Sequence, residues 1–335
     1  MEKLTYNVAR FFLYIPTIAI PIVFFKITNE YIYASIGLAI WLCLNYYVIQ
    51  SNYVTKLVKI NIVLVILALV VIRQKEFLLM VLLIVDGILG ECVRRSLFQF
   101  HDKHQNFFIL SGMLSVGMIF LNIKISMCFL LFVFLLFVWC IFSRRNERKQ
   151  QNLILPNNSP NYKLNKWGLL FAVIHNLHYY CFAFLIPILA YIYKIPILAG
   201  AFVAINWVLF LIKDRINVFF LRKYSQDTII VVSYIILSVI YLLLYLFGEN
   251  LNVIEIGAVL LFQGGVSGLA EEFWKLEDMN NVTTQKGWKI AGIIGAVISV
   301  ILGVNNTNWQ MYFMLPAIFT GLLSIIYIGN NLWKK

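Results

Sequence analysis

Apolar residues run along this chain in long blocks, and short polar breaks separate them at nearly regular intervals. A helix needs roughly 20 apolar residues to cross about 30 Å of hydrocarbon, and fewer when it is little tilted. Twelve blocks meet that length. In the first half they are 9–25, 31–49, 54–72, 77–93, 107–123 and 125–142. The second half has 167–193, 195–212, 228–247, 253–270, 288–304 and 309–329. Backbone polar groups in lipid must be satisfied within the segment, so each block is predicted to be a helix. The first block carries Pro16 and Pro21 and is followed by KITNE rather than a small-residue cleavage site, so it is expected to be a retained span.

The longest polar break, Ser143–Lys166, opens SRRNERKQQN and contains two prolines and six asparagines. It reads as a cytoplasmic linker between domains at 1–142 and 167–335. The other breaks are nearly turns and leave no room for an extramembrane catalytic domain. Function is therefore expected inside the bundle.

The cations sort between the breaks. With a cytoplasmic N-terminus, only Lys26, Arg73, Lys75, Lys124 and Lys194 fall on the outer side, leaving 22 of the 27 Lys and Arg inside. That is the positive-inside pattern, and it predicts a multi-pass protein of the cell membrane with both termini cytoplasmic. Composition agrees: 61% hydrophobic with 13% charged residues cannot cover a water-soluble globule. The net charge of +12 lies in cytoplasmic turns, where membrane lipid headgroups rather than nucleic acid are the expected partners. The five cysteines show neither CxxC spacing nor a His/Cys cluster and read as buried thiols.

The halves also match each other in order. IPIVFFKI (Ile20–Ile27) is echoed by IPILAYIYKI (Ile186–Ile195), IVDGILGE (Ile84–Glu91) by LFQGGVSG (Leu261–Gly268), and LSGMLS (Leu110–Ser115) by IAGIIG (Ile290–Gly295). The offsets are 166, 177 and 180 residues. Small-residue motifs are common in membrane helices, but three in one order point to a repeat. The expected fold is an all-α membrane protein of twelve transmembrane helices in two pseudo-symmetric six-helix bundles.

With its two six-helix halves, basic linker and inward termini, the chain resembles the major facilitator superfamily over its whole length. KDRINVFFLRKYS (Lys213–Ser225), placed in the loop after the eighth span, is similar to the D-R-x-x-x-R/K signature of that superfamily. The resemblance implies that Asp214 and Arg215 tie neighbouring helix ends together. The equivalent first-half loop, QSNYVTKLVK, lacks the acid. Where the superfamily often has arginine followed by Gln-Gly in the fourth helix, this chain has Leu83 followed by Asp86-Gly87. Of the antiporter glycine series only Gly112 and Gly117 are present, without the following proline.

The resemblance further implies that the first, fourth, seventh and tenth helices line a central cavity. Asp86 lies ten residues from the outer end of the fourth span, a depth of roughly 15 Å at 1.5 Å per residue. His175 and His178, spaced i,i+3, share one face of the seventh span at similar depth. Gln263 is the tenth-span counterpart of Asp86, and Tyr14, Thr17 and Tyr179 complete the candidate substrate or proton site. An ionised carboxylate at the bilayer centre costs at least about 2.5 kcal/mol, so Asp86 must be paired, hydrated or protonated. It either serves proton chemistry or hydrogen-bonds across a helix interface. For the histidine pair three roles stand side by side: contact with solute or proton, interhelical hydrogen bonding, or half of a metal site.

A second charged set, Glu91, Arg94 and Arg95 on the fourth span with Glu271, Glu272 and Lys275 on the tenth, reads either as a cytoplasmic gate or as local i,i+3 and i,i+4 pairing. No GxxxxGK[ST] stretch is present and no cofactor is expected. The expected function is a secondary active transporter of a small organic solute, coupled to protons and directed to efflux. A noncatalytic membrane partner, such as an immunity or assembly factor, is the alternative. An intramembrane enzyme ranks lower: Glu271-Glu272 is similar to the glutamate pair of CAAX-type proteases, but FWKL follows without the expected arginine.

Overall fold

The computed structural model describes residues 20–47, 166–195, 198–278, 282–305 and 308–332, with scattered positions between 63 and 85. The side chains of 210–215 and 271–278 are outside that description. So are most of the predicted spans 54–72, 77–93, 107–123 and 125–142 and nearly all of the linker. The chain divides into two compact units, Met1–Asn158 with Ile195–Gly200, and Ser159–Lys194 with Ala201–Lys335.

In the first unit residues 20–28 are helical, and α1 follows at Tyr31–Tyr47. The turn between them works because Asn29 takes φ 60°, a left-handed conformation that asparagine tolerates better than most residues. Gly37 lets the two helices approach, since a Cβ there would lie 2.9 Å from Phe24 Cδ1.

The second unit contains α2 (Lys166–Tyr180), α3 (Leu185–Ile192), α5 (Gln226–Phe247), α6 (Val253–Asp278), α7 (Val282–Asn305) and α8 (Met314–Leu332), with most of α4 (Ala199–Leu221). Local chemistry sets several starts. Ser225 caps α5 by accepting from Thr228 N–H. Asn252 and Glu255 form a reciprocal capping box at α6: Asn252 Oδ1 accepts from Glu255 N–H, and Glu255 Oε2 accepts from Asn252 N–H. Short 3-10 turns at Gly248–Asn250 and Trp309–Phe313 flank α5 and α8.

Among the described residues, five stretches are long and apolar enough to cross a bilayer: Lys166–Ile192, Gln226–Asn250, Val253–Ala270, Lys286–Val304 and Trp309–Asn330. Their polarity is inverted relative to a soluble bundle. Ser299, Thr320 and Ser324 are buried, whereas Ile254, Phe262, Val304 and Ile325 are each more than 60% exposed. Large apolar side chains facing outward all round a bundle need hydrocarbon as solvent. The protein is an all-α, multi-pass membrane protein.

Three helices overrun their predicted spans on one side. α4 continues through Lys213, Asp214 and Arg215 to Leu221, so the signature segment is mostly helix rather than loop, and the turn is confined to 222–225. No glycine or proline lies between Ala201 and Leu221 to stop it, and helix formation does not end where hydropathy does. By the same logic α6 runs on to Asp278 and α7 begins at Val282.

The predicted seventh span is not one helix. α2 gives way at residues 181–184 to tighter turns, in which Phe182 N–H and Leu185 N–H bond three residues back to Tyr179 and Phe182. Pro187 is the cause: it lacks the N–H that would reach the Ala183 carbonyl, and its ring crowds that carbonyl. α3 then ends at Ile192, and Lys194 in the turn beyond it takes φ 56°.

α2 lies against α6, α7 and α8, and α5 against α6 and α8. The α2–α7 contact is built on glycines. A Cβ at Gly292 would lie 2.6 Å from Asn176 Nδ2, and one at Gly295 would strike the Leu177 carbonyl oxygen. Small residues allow this backbone approach, the main source of helix association in lipid. Asn176 exploits it, donating to the Trp288 carbonyl at 2.6 Å.

Candidate functional site

His175 and His178 are both buried, and their rings meet edge to face with centroids 5.1 Å apart. His175 lies nine residues into α2, roughly 14 Å along the axis, well inside the apolar layer. Each ring has a different tie. His178 Nδ1 stands 2.9 Å from the Ile174 carbonyl, which only accepts, so Nδ1 carries the proton and Nε2 holds a lone pair. His175 Nδ1 stands 3.2 Å from the Tyr234 hydroxyl, which can serve it as donor or acceptor. A second proton on the pair would be opposed by about 3 kcal/mol at this separation and an effective dielectric constant of about 20.

A second polar chain reaches the same place from the other side. Asn206 on α4 donates through Nδ2 to the Leu260 carbonyl at 2.9 Å and to Gln263 Oε1 at 2.5 Å. Because the Leu260 carbonyl can only accept, the orientation of the Asn206 amide is fixed, and that fixes Gln263. Gln263 Nε2 then donates to the Tyr241 hydroxyl at 3.0 Å. The Tyr241 ring packs against His178 at 5.5 Å between centroids, with Phe182 and Phe313 around it. Gly264 makes the α4–α6 approach possible, since a Cβ there would collide with the Asn206 carbonyl oxygen.

Of the residues singled out from the sequence, the structure brings His175, His178 and Gln263 into one cluster, linked through Tyr241. Tyr179 lies on α2 beside them and packs on Tyr180 and Phe182. Asp86, Tyr14 and Thr17, together with Glu91, Arg94 and Arg95, lie outside the described residues. The backbones of Asp214, Arg215, Glu271, Glu272 and Lys275 are on α4 and α6, and their side chains are outside the description. Sequence reasoning missed Asn206, Tyr234 and Tyr241. The two tyrosines are spaced i,i+7 and so share a face of α5, a signal diluted among 18 tyrosines. Asn206 sat on a helix not expected to face the cavity. Among the described residues no three His, Cys, Asp or Glu side chains converge as metal ligands.

No family model and no curated protein sequence matches the chain. Solved structures do. A bacterial metal transporter superposes with a TM-score of 0.66 at 12% identity, over 98% of this chain and 98% of that one. The chain shares the fold of that transporter. The nucleoside transporter NupG, solved as a point mutant, gives a TM-score of 0.55 at 12% identity over 98% of this chain and 99% of its own. Within this shared fold, the buried cluster on α2, α4, α5 and α6 is the best-defined candidate site among the described residues.

Proposed function

We propose that the chain is a secondary active transporter that carries a small organic solute across the cell membrane by alternating access, driven by protons in the direction of efflux. The observation that carries this reading is the histidine pair, held in neutral hydrogen bonds deep inside a bundle whose fold is shared with transporters. Polar groups at that depth are costly, and an imidazole pair suits a coupling site. In this proposal the chain forms twelve helices in two bundles, 1–142 and 167–335, joined by the cytoplasmic linker 143–166, with both termini inside. Asp86 is the coupling acid, and His175 and His178 relay its proton or touch the solute. Gln263 holds Tyr241 in place, and Tyr14, Thr17 and Tyr179 line the path. Glu91, Arg94, Arg95, Glu271, Glu272 and Lys275 close the inner side, while Asp214 and Arg215 brace adjacent helix ends.

The test uses purified protein in liposomes loaded with a pH dye and challenged with lipophilic cations, amino acids and sugars. A solute-induced pH change that disappears in Asp86→Asn is the expected result. Silence toward every solute, from protein shown to be folded, would instead favour a noncatalytic membrane partner.

A further inference from the structure

Counting donors and acceptors in the buried cluster leaves two groups unmatched, and they are complementary. Tyr241 makes one hydrogen bond among the described residues, the one it accepts from Gln263, so its own O–H is unspent. His178 makes one as well, the one from Nδ1 to Ile174, and its Nε2 is fully buried with no partner. Both residues are 0% exposed, and their rings are in contact. Each assignment traces back to a backbone carbonyl, Leu260 for the first and Ile174 for the second, so neither can be reversed by flipping an amide or a ring. An unmatched buried polar group gives up its hydrogen bonds to water and gains none, so two in contact call for a shared partner.

We propose that a single hydroxyl oxygen bridges the pair, accepting from Tyr241 O–H and donating to His178 Nε2. Its chemistry is tightly limited. An ammonium has donors only, a carboxylate acceptors only, and one atom that does both is the oxygen of water or of a neutral alcohol. Phe182 and Phe313 pack against the Tyr241 ring, an apolar setting that suits a small uncharged group and disfavours an ion. In its solute form the inference rests on the transporter reading and gives the cargo a hydroxyl, as in a polyol or nucleoside. In its water form it stands alone.

The measurement is magic-angle-spinning NMR of the full chain in lipid nanodiscs with isotope-labelled histidine. The His178 signal is identified by its loss in His178→Gln. A hydrogen-bonded Nε2 in wild type, shifted to the unbonded position in Tyr241→Phe, is the expected result. Magnetisation transfer from water then separates the sources, with uridine and glycerol as hydroxyl probes and tetraphenylphosphonium as a probe without one. Transfer that persists throughout identifies water, and transfer lost only with a hydroxyl probe identifies the solute; either supports the bridge. An unbonded Nε2 under all conditions overturns it, as does a bonded one indifferent to Tyr241→Phe. Should that variant fail to fold, transfer between Nε2 and the labelled Tyr241 Cζ in wild type replaces it. Two hydrogen bonds of about 2.8 Å place these atoms within roughly 7 Å, and no transfer over that range defeats the proposal. None of these readouts requires transport, so the liposome assay and this one fail independently.

Discussion

At Gly295 an added methyl group would meet the carbonyl oxygen of Leu177, which belongs to a helix backbone and cannot swing aside. At Gly329 the same methyl would meet nothing within 4 Å. The two substitutions should therefore differ in sign. Gly295→Ala is expected to lose about 1–3 kcal/mol of stability by overpacking, and Gly329→Ala to gain up to about 1 kcal/mol from helix propensity, both read from unfolding in SDS. The amide chain gives a second contrast. Asn206→Leu strands the buried Gln263 Oε1 at a cost of about 1–3 kcal/mol, whereas adding Gln263→Leu removes the stranded group. The double variant should lose clearly less than the sum of the singles, and strict additivity would deny the bond its role. Of these residues the histidines were legible from their spacing. The glycines were visible too, but as repeat markers; sequence alone does not say that a backbone passes against them.

Helices were legible where bilayer thickness sets their length and illegible where water does. The second-half spans were placed because about 20 apolar residues announce themselves, yet α4 and α6 continue into charged sequence where hydropathy gives no signal. The break between α2 and α3 was written in Pro187 and was overlooked because the block 167–193 carries no Asp, Glu, Lys or Arg to interrupt it. Pro187→Ala restores the missing donor to the Ala183 carbonyl. It should join the two helices and raise amide hydrogen-exchange protection across residues 181–185 at least tenfold; unchanged exchange there would remove the proline from its causal place.

At the scale of the whole molecule, the proposed orientation and gate each make a claim. A fluorescent protein fused after Lys335 should fluoresce in the cytoplasm, and a periplasmic reporter fused there should stay inactive. Reversing Arg94 or Glu272 alone should impair transport at least tenfold, with recovery when the two are exchanged; no recovery removes the gate. The fold persists at 12% identity to two transporters, and the inter-helix ties suggest how. Asn176 binds the Trp288 carbonyl, Asn206 that of Leu260, Ser238 that of Ala317, and Tyr193 that of Gly248. In each, the acceptor is main chain. A substitution at the receiving position can change every atom of the side chain and still leave the acceptor oxygen in place, so only the donor carries genetic information. Half of every such contact is insensitive to side-chain substitution, and the receiving positions themselves are free to drift apart while the architecture stays assembled.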